Sequence, residues 1–161
     1  MYLNSFAQMQ DWHGQIVVPD SACMAVINAA LDYHSRLLGG NAWRPTQIVT
    51  WGNALRQSFE FERLAHVTPP AVDFVLSRDQ ELAVWQAVIA DDRELDVRYP
   101  GQAALLASEA WRLVHLWDLH RSDTSPYEGA DVAAFNRWAN AYERRTADLA
   151  VTDLARLAAH N

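Results

Sequence analysis

Two hydrophobic rhythms run along this chain. Gln15 to Pro19 (QIVVP) is a short apolar run bounded by Gly14 and Pro19, which fits a buried strand. Asp20 or Ser21 can cap the helix that follows, since either side-chain oxygen can accept from a free N–H of the first turn. In that helix Met24, Ile27, Leu31, His34 and Leu38 recur at three-and-four spacing, and Gly39-Gly40 ends it. After a turn over residues 41–45, a β-branched run, Gln47-Ile48-Val49-Thr50, meets Trp51-Gly52-Asn53, and a helical pattern begins with Leu55 and Phe59. Strand, helix, strand, helix within sixty residues is the pattern of a parallel pair with a crossover helix. Two strands do not make a stable sheet alone, so the pair needs support from elsewhere.

Beyond Arg63 the rhythm becomes purely helical. Pro69-Pro70 marks a boundary, which divides the chain into an α/β part, 1–65, and a helical part, 66–161. Ser77-Arg78-Asp79-Gln80 reads as a capping box, opening a helix with Leu82, Trp85 and Ile89 on its core stripe. Pro100-Gly101 precedes a longer helix, from Gln102 to about His120, with Leu106, Ala110, Leu113 and Trp117 along one face. A polar turn from Ser122 to Gly129 leads to a third helix, Asp131 to about Leu149, with Phe135, Trp138 and Tyr142. A short last helix, near Thr152 to His160, carries Leu154 and Leu157. The fold class expected is mainly α with a small α/β N-terminal part: a short parallel strand pair with a crossover helix, followed by a helical bundle.

Charge narrows the chemistry. All thirteen cationic side chains are arginine and none is lysine, which excludes a phosphate-cradling Gly-Lys-Ser/Thr loop, Schiff-base catalysis and any nuclease core built on a lysine. A formal net charge of -7 is unfavourable for autonomous nucleic-acid binding, which depends on neutralising phosphates, and leaves only a local patch for that role. The single Cys23 rules out an internal disulfide framework and points to a reducing cytoplasm. No apolar run approaches the ~20 residues of a membrane span.

Several groups invite a functional reading. In α/β folds ligands bind where a strand's carboxyl end meets a helix start, so Thr50, Trp51, Asn53 and Arg56 are the groups to watch; the structural alternative is that Thr50 or Asn53 caps the helix and Trp51 is core. His115 and Asp118 stand three apart on the long helix, near Glu109 and His120, but a metal site would need further ligands from another element, and the five-residue step from His115 to His120 turns those rings apart, so metal is not expected. Asp91, Asp92, Glu94 and Asp96 surround Arg93 at a helix end, where a solvated loop is the ordinary explanation and where the helix dipole requires the helix to stop first. Cys23 lacks any nucleophile signature and reads as a small buried residue. Core packing accounts for Trp85, Trp117 and Trp138, while Trp12, Trp43 and Trp51 sit at turns or element ends and can form a contact surface.

Five stretches in order, QIVVPDSACMAVINAAL, PTQIVTWGNALRQSF, FVLSRDQELAVWQAVIADD, LASEAWRLVHLWDL and FNRWANAYERR, resemble the N-terminal region of a bacterial family of probable DNA repair proteins, related to the B subunit of AddAB-type helicase-nucleases. The resemblance spans nearly all of the chain from Gln15 onward. It implies a degenerate superfamily 1 helicase core with a helical insertion, and a nuclease domain far downstream. Val17-Val18-Pro19-Asp20-Ser21 then corresponds to helicase segment Ia and Val49-Thr50-Trp51-Gly52-Asn53 to segment Ib, which line the single-strand path in active relatives. DNA-facing groups implied in this way are Pro19, Ser21, Thr50, Trp51, Asn53 and Arg56. The phosphate loop expected ahead of the first strand has no counterpart in the fourteen preceding residues, and the family's nuclease residues lie beyond Asn161. The resemblance therefore implies a non-catalytic part of a longer protein, with no cofactor of its own. Its partners would be single-stranded DNA, a helicase subunit or the remainder of a longer chain, and self-association through open sheet edges. A helical docking module without nucleic-acid contact is the alternative that the net acidity favours.

Overall fold

The computed structural model describes residues 14–39, 46–65, 72–119, 121 and 129–159. Among them six helices and two short parallel strand pairs make a mainly α fold with a small α/β part, as the periodicities predict. The chain divides into two compact units, Met1–Phe59 and Glu60–Asn161.

In the first unit β1 (Gln15–Val18) leads through Pro19-Asp20 into α1 (Ser21–Leu37), and β2 (Gln47–Thr50) runs directly into α2 (Trp51–Ala65). The strands pair in parallel, with Ile16 opposite Ile48 and Val18 opposite Thr50. Because side chains alternate along a strand, Ile16, Val18 and Ile48 emerge on one face, and α1 covers them with Met24, Ile27 and Leu31. Val17 stays exposed on the other face. Asp20 is the N-cap of α1, accepting the Cys23 N–H at 2.7 Å. At the far end Leu38 is the C-cap, and Gly39 takes φ 75°, the left-handed conformation that glycine adopts at least cost. Leu38, assigned to the core stripe by spacing, lies past that end and is exposed.

The second unit is built around aromatic rings. Helix α3 (Arg78–Ala90) carries a complete capping box, Ser77 accepting the Gln80 N–H while Gln80 accepts the Ser77 N–H. Its Trp85 is fully buried, stacked on Tyr142 of α5 (Ala130–Asp148) at 4.2 Å and meeting Trp111 of α4 (Pro100–Leu116) edge-on at 5.9 Å. Proline at the first position of α4 explains why that helix starts two residues before Gln102, since its missing N–H would be unpaired there in any case.

Two expectations fail here. The stretch after Arg63 is not purely helical: β3 (Phe74–Val75) pairs in parallel with β4 (Val151–Thr152) ahead of α6 (Leu154–Ala159). Two residues are too few to show strand alternation. What makes β4 is a backbone turn, since Ala150 takes φ 52° after the α5 C-cap, and its carbonyl accepts the Asp73 N–H at 2.6 Å. The second failure is the face of α4. Leu106, Leu113 and Trp117 are not core; they are 69, 51 and 68 % exposed, and Ala104, Ala107, Ser108 and Trp111 are the buried face instead. The helix is apolar on two sides, and the small residues fit against the rings of α3 and α5 where leucines would not.

A buried polar hub joins β4 and α6 to this core. Asp153 is 1 % exposed, and its Oδ1 accepts the Ala155 and Arg156 N–H groups at 3.0 Å, capping α6. Its Oδ2 accepts from Trp111 Nε1 at 3.2 Å, the Tyr142 hydroxyl at 3.3 Å and Arg156 Nε at 2.8 Å. Arg156 also donates to Thr146 and lies over the Trp111 and Tyr142 rings. Burial, with the Asp153 charge beside it, pushes the Tyr142 hydroxyl strongly up, so it remains a donor.

Candidate nucleic-acid interface

The parallel register of β1 and β2 ends both strands at the same edge, Val18 opposite Thr50, and each strand is followed at once or within two residues by a helix. Pro19, Ser21, Thr50, Trp51 and Asn53 are therefore gathered at one edge of the first unit, beside the N-termini of α1 and α2. Pro19, Ser21, Trp51 and Asn53 are exposed and Thr50 is half-buried. The indole of Trp51 is 54 % exposed, so the structural alternative that made it core does not hold. Thr50 Oγ1 faces the Asn53 N–H at 3.4 Å, a long and weak cap. Arg56 stands apart. Five positions beyond Trp51 it lies past the first turn of α2, is half-buried, and is engaged in an interaction of its own.

The two helix N-termini differ electrostatically. At α1 the positive end of the dipole already holds a carboxylate, and the bond from the Cys23 N–H keeps the Asp20 carboxyl below its ordinary range. A phosphate approaching there meets a negative charge in the seat it would need. At α2 the capping group is a neutral hydroxyl, so this N-terminus and the Trp51 ring are the parts of the edge compatible with an anionic chain. Asp20 also pushes the Cys23 thiol up by hydrogen bonding. Cys23 is exposed rather than buried, but a raised thiol in contact with a carboxylate is a poor nucleophile.

The other groups singled out by sequence have structural roles. Helix α4 ends at Leu116 and Asp118 takes φ 47°, so His115 and Asp118 do not share a helix face. The His115 ring instead packs edge-on against Trp111 at 4.3 Å, and burial lowers its pKa. Among the described residues no group of three or more His, Cys, Asp or Glu is placed to hold a metal ion. The acidic run is not a purely solvated loop. As the dipole requires, α3 ends before it, and Asp91 pairs with Arg145 at 3.2 Å, Asp92 with Arg137 at 3.1 Å and Trp138 Nε1 at 2.6 Å, and Glu94 with Arg137 at 3.3 Å. These groups line a cleft of about 300 Å³ between the end of α3 and α5. Carboxylates and guanidinium groups there neutralise one another. Trp138 is accordingly half-buried and hydrogen-bonded, whereas Trp117 is exposed; Trp12, Trp43 and His120 lie outside the described residues.

Sequence reasoning missed Asp153, whose single carboxylate follows two ordinary residues with no motif around it. It also missed the outward face of α4, although leucines on both sides of that helix were the available signal. No family model, curated protein or solved structure matches this chain. Among the described residues no helix is long and apolar enough to cross a membrane.

Proposed function

We propose that this chain is a non-catalytic, helicase-like module of a DNA repair and recombination nuclease, and that it guides single-stranded DNA across the edge where β1 and β2 end. The observation that carries this reading is the exposed Trp51 indole at the N-terminus of α2, on the edge shared with Pro19, Ser21, Thr50 and Asn53. An exposed ring at a positive helix end offers a base-stacking face beside N–H donors for a phosphate, and stacking tolerates any base. The resemblance of the five ordered stretches to helicase-nuclease subunits supports the same role. With a net charge of -7 the affinity is expected to be modest and strongly salt-dependent.

Fluorescence anisotropy of a labelled single strand of roughly 20 nucleotides, several stacking sites long, tests it at low and at physiological salt. Trp51→Ala should weaken binding by about 1–3 kcal/mol, the usual contribution of a stacked base. Asp20→Asn, which keeps the cap and removes its charge, should strengthen it. No binding at low salt, or a folded Trp51→Ala variant of unchanged affinity, would refute the proposal.

A second reading makes the helical unit a protein-docking surface. It is favoured by the exposed Leu105, Leu106, Leu113, Leu116 and Trp117 of α4 and its C-cap. Binding of the dye bis-ANS, reduced when Leu106 and Leu113 are replaced by glutamate, would register that face as open and apolar.

A further inference from the structure

The outward side of α4 is organised as a seam. Leu106, Glu109, Leu113 and Leu116 follow one another at steps of three, four and three, the 3.5-residue repeat of a helix that packs along another helix. Leu105 and Trp117 flank the seam, and the five large apolar side chains are between 45 and 73 % exposed. Single exposed leucines are ordinary on a monomer; a helix-long row opposite a complete core face is not. With 17 residues α4 presents a face about 25 Å long.

Charge indicates what covers it. Glu109 lies in the seam and Arg112 beside it; both are exposed, and no ion pair joins either to another described residue, although the Arg112 charge reaches the Glu81 carboxyl on α3. The two are equidistant from the point midway between them, near the middle of the helix. A second α4 laid antiparallel across a two-fold axis through that point sets Glu109 against the partner's Arg112 and Arg112 against the partner's Glu109. The same operation brings Leu105 to the partner's Leu116 and Leu106 toward the partner's Leu113. A parallel arrangement would set Glu109 against the partner's Glu109 and lose both pairs. This pattern is self-complementary in the way an isologous interface requires. A charged seam residue with a reciprocal partner also specifies register.

We infer that the outward face of α4 is a self-docking surface, on which a second copy of this chain packs its own α4 antiparallel, with leucines in the seam and two Glu109–Arg112 pairs across the axis. This names the partner for the docking reading above and rests on it. A single helix pair is at the small end of specific interfaces, so association is expected to be reversible rather than permanent.

Sedimentation velocity of the full chain, over roughly 1–200 µM to bracket a weak interface, should show a concentration-dependent dimer. Leu106→Glu with Leu113→Glu should leave a monomer; both positions are exposed, so circular dichroism should be unchanged. Arg112→Glu alone should weaken the dimer about tenfold, and combining it with Glu109→Arg should restore the affinity, since the reciprocal pairs are then reversed but intact. A dimer that persists in the double glutamate variant overturns the inference, as does a charge reversal without rescue. A wild-type monomer at every concentration also overturns it. If that monomer still binds bis-ANS through Leu106 and Leu113, the docking reading survives with a different partner; if it does not, both fall.

Discussion

The two units of this chain bury their apolar residues by different means. In Met1–Phe59 the clustered core is Val18, Leu31 and Ile48, edged by Ile16, Met24 and Ile27, under a two-stranded sheet whose opposite face leaves Val17 exposed. In Glu60–Asn161 three fully buried rings, Trp85, Trp111 and Tyr142, are packed by three helices, and a buried carboxylate ties in the fourth. Parallel strands are ordinarily covered on both faces, and a strand pair without a third neighbour is marginal in water. The first unit, with its polar edge exposed, is therefore expected to be the less stable of the two, whereas the second offers a helix face. Local stability, not only global unfolding, should separate the two.

The largest effect is expected at the Asp153 hub. Asp153→Ala removes the N-cap of α6 and the partner of Arg156 together and leaves the Trp111 and Tyr142 donors unsatisfied. Breaking a buried pair of this kind costs about 3–5 kcal/mol. Amide exchange should show the loss across α4, α5 and α6 while β1 and α1 keep their protection; equal loss in both units would contradict a local role for the hub. In the first unit Leu31→Ala should cost about 2–3 kcal/mol, the low end for a core leucine because its surroundings are half-exposed and can collapse. Its effect should be confined to β1, α1 and β2.

Smaller changes sharpen the contrast. Ala150 pays for a left-handed backbone that glycine adopts freely, so Ala150→Gly should stabilise the second unit by about 1 kcal/mol. A stabilising shift in its denaturation midpoint checks this. The smallest effect is a pH slope. Burial holds the folded His115 pKa below its ordinary 6.5, so the unfolded chain binds more protons, and stability is lost as pH falls below about 6.5. Asp153 and Glu143 oppose that shift while Arg156 and Arg121 reinforce it. His115→Phe should flatten the acid limb in the second unit and leave the first unchanged.

Much of this architecture was legible because it depends on neighbours in sequence. The Ser77-to-Gln80 capping box, a cap at Asp20 or Ser21 before α1, one at Thr50 or Asn53 before α2 and the β-branched runs act within a few residues. The strand pair with its crossover helix followed from them. Of the candidate interface, the segments were legible, and the register explains why they meet, because two parallel strands joined by a helix end at one edge. That Asp20 occupies the α1 terminus while the α2 terminus is nearly free was not legible, since Asp20 and Ser21 are both good caps and only the backbone chooses. The core face of α4 was misread for a related reason. Spacing identifies apolar stripes but cannot rank two on one helix, and large leucines look more core-like than Ala104, Ala107 and Ser108.

By itself, then, the amino-acid sequence determined the local and compositional properties of this protein. These are its helices and the capping box of α3, the parallel pair, the lysine-free chemistry and the acidic net charge, all of which rest on intrinsic preferences or simple counting. The tertiary structure alone decided which side of α4 is buried, that Asp91, Asp92 and Glu94 clamp α5, and that Asp153 gathers Trp111, Tyr142 and Arg156 from three helices. Those outcomes depend on volumes and charges brought together from distant parts of the chain. No local pattern records how a small residue fits beneath a tryptophan ring, or which guanidinium will reach a carboxylate forty residues away.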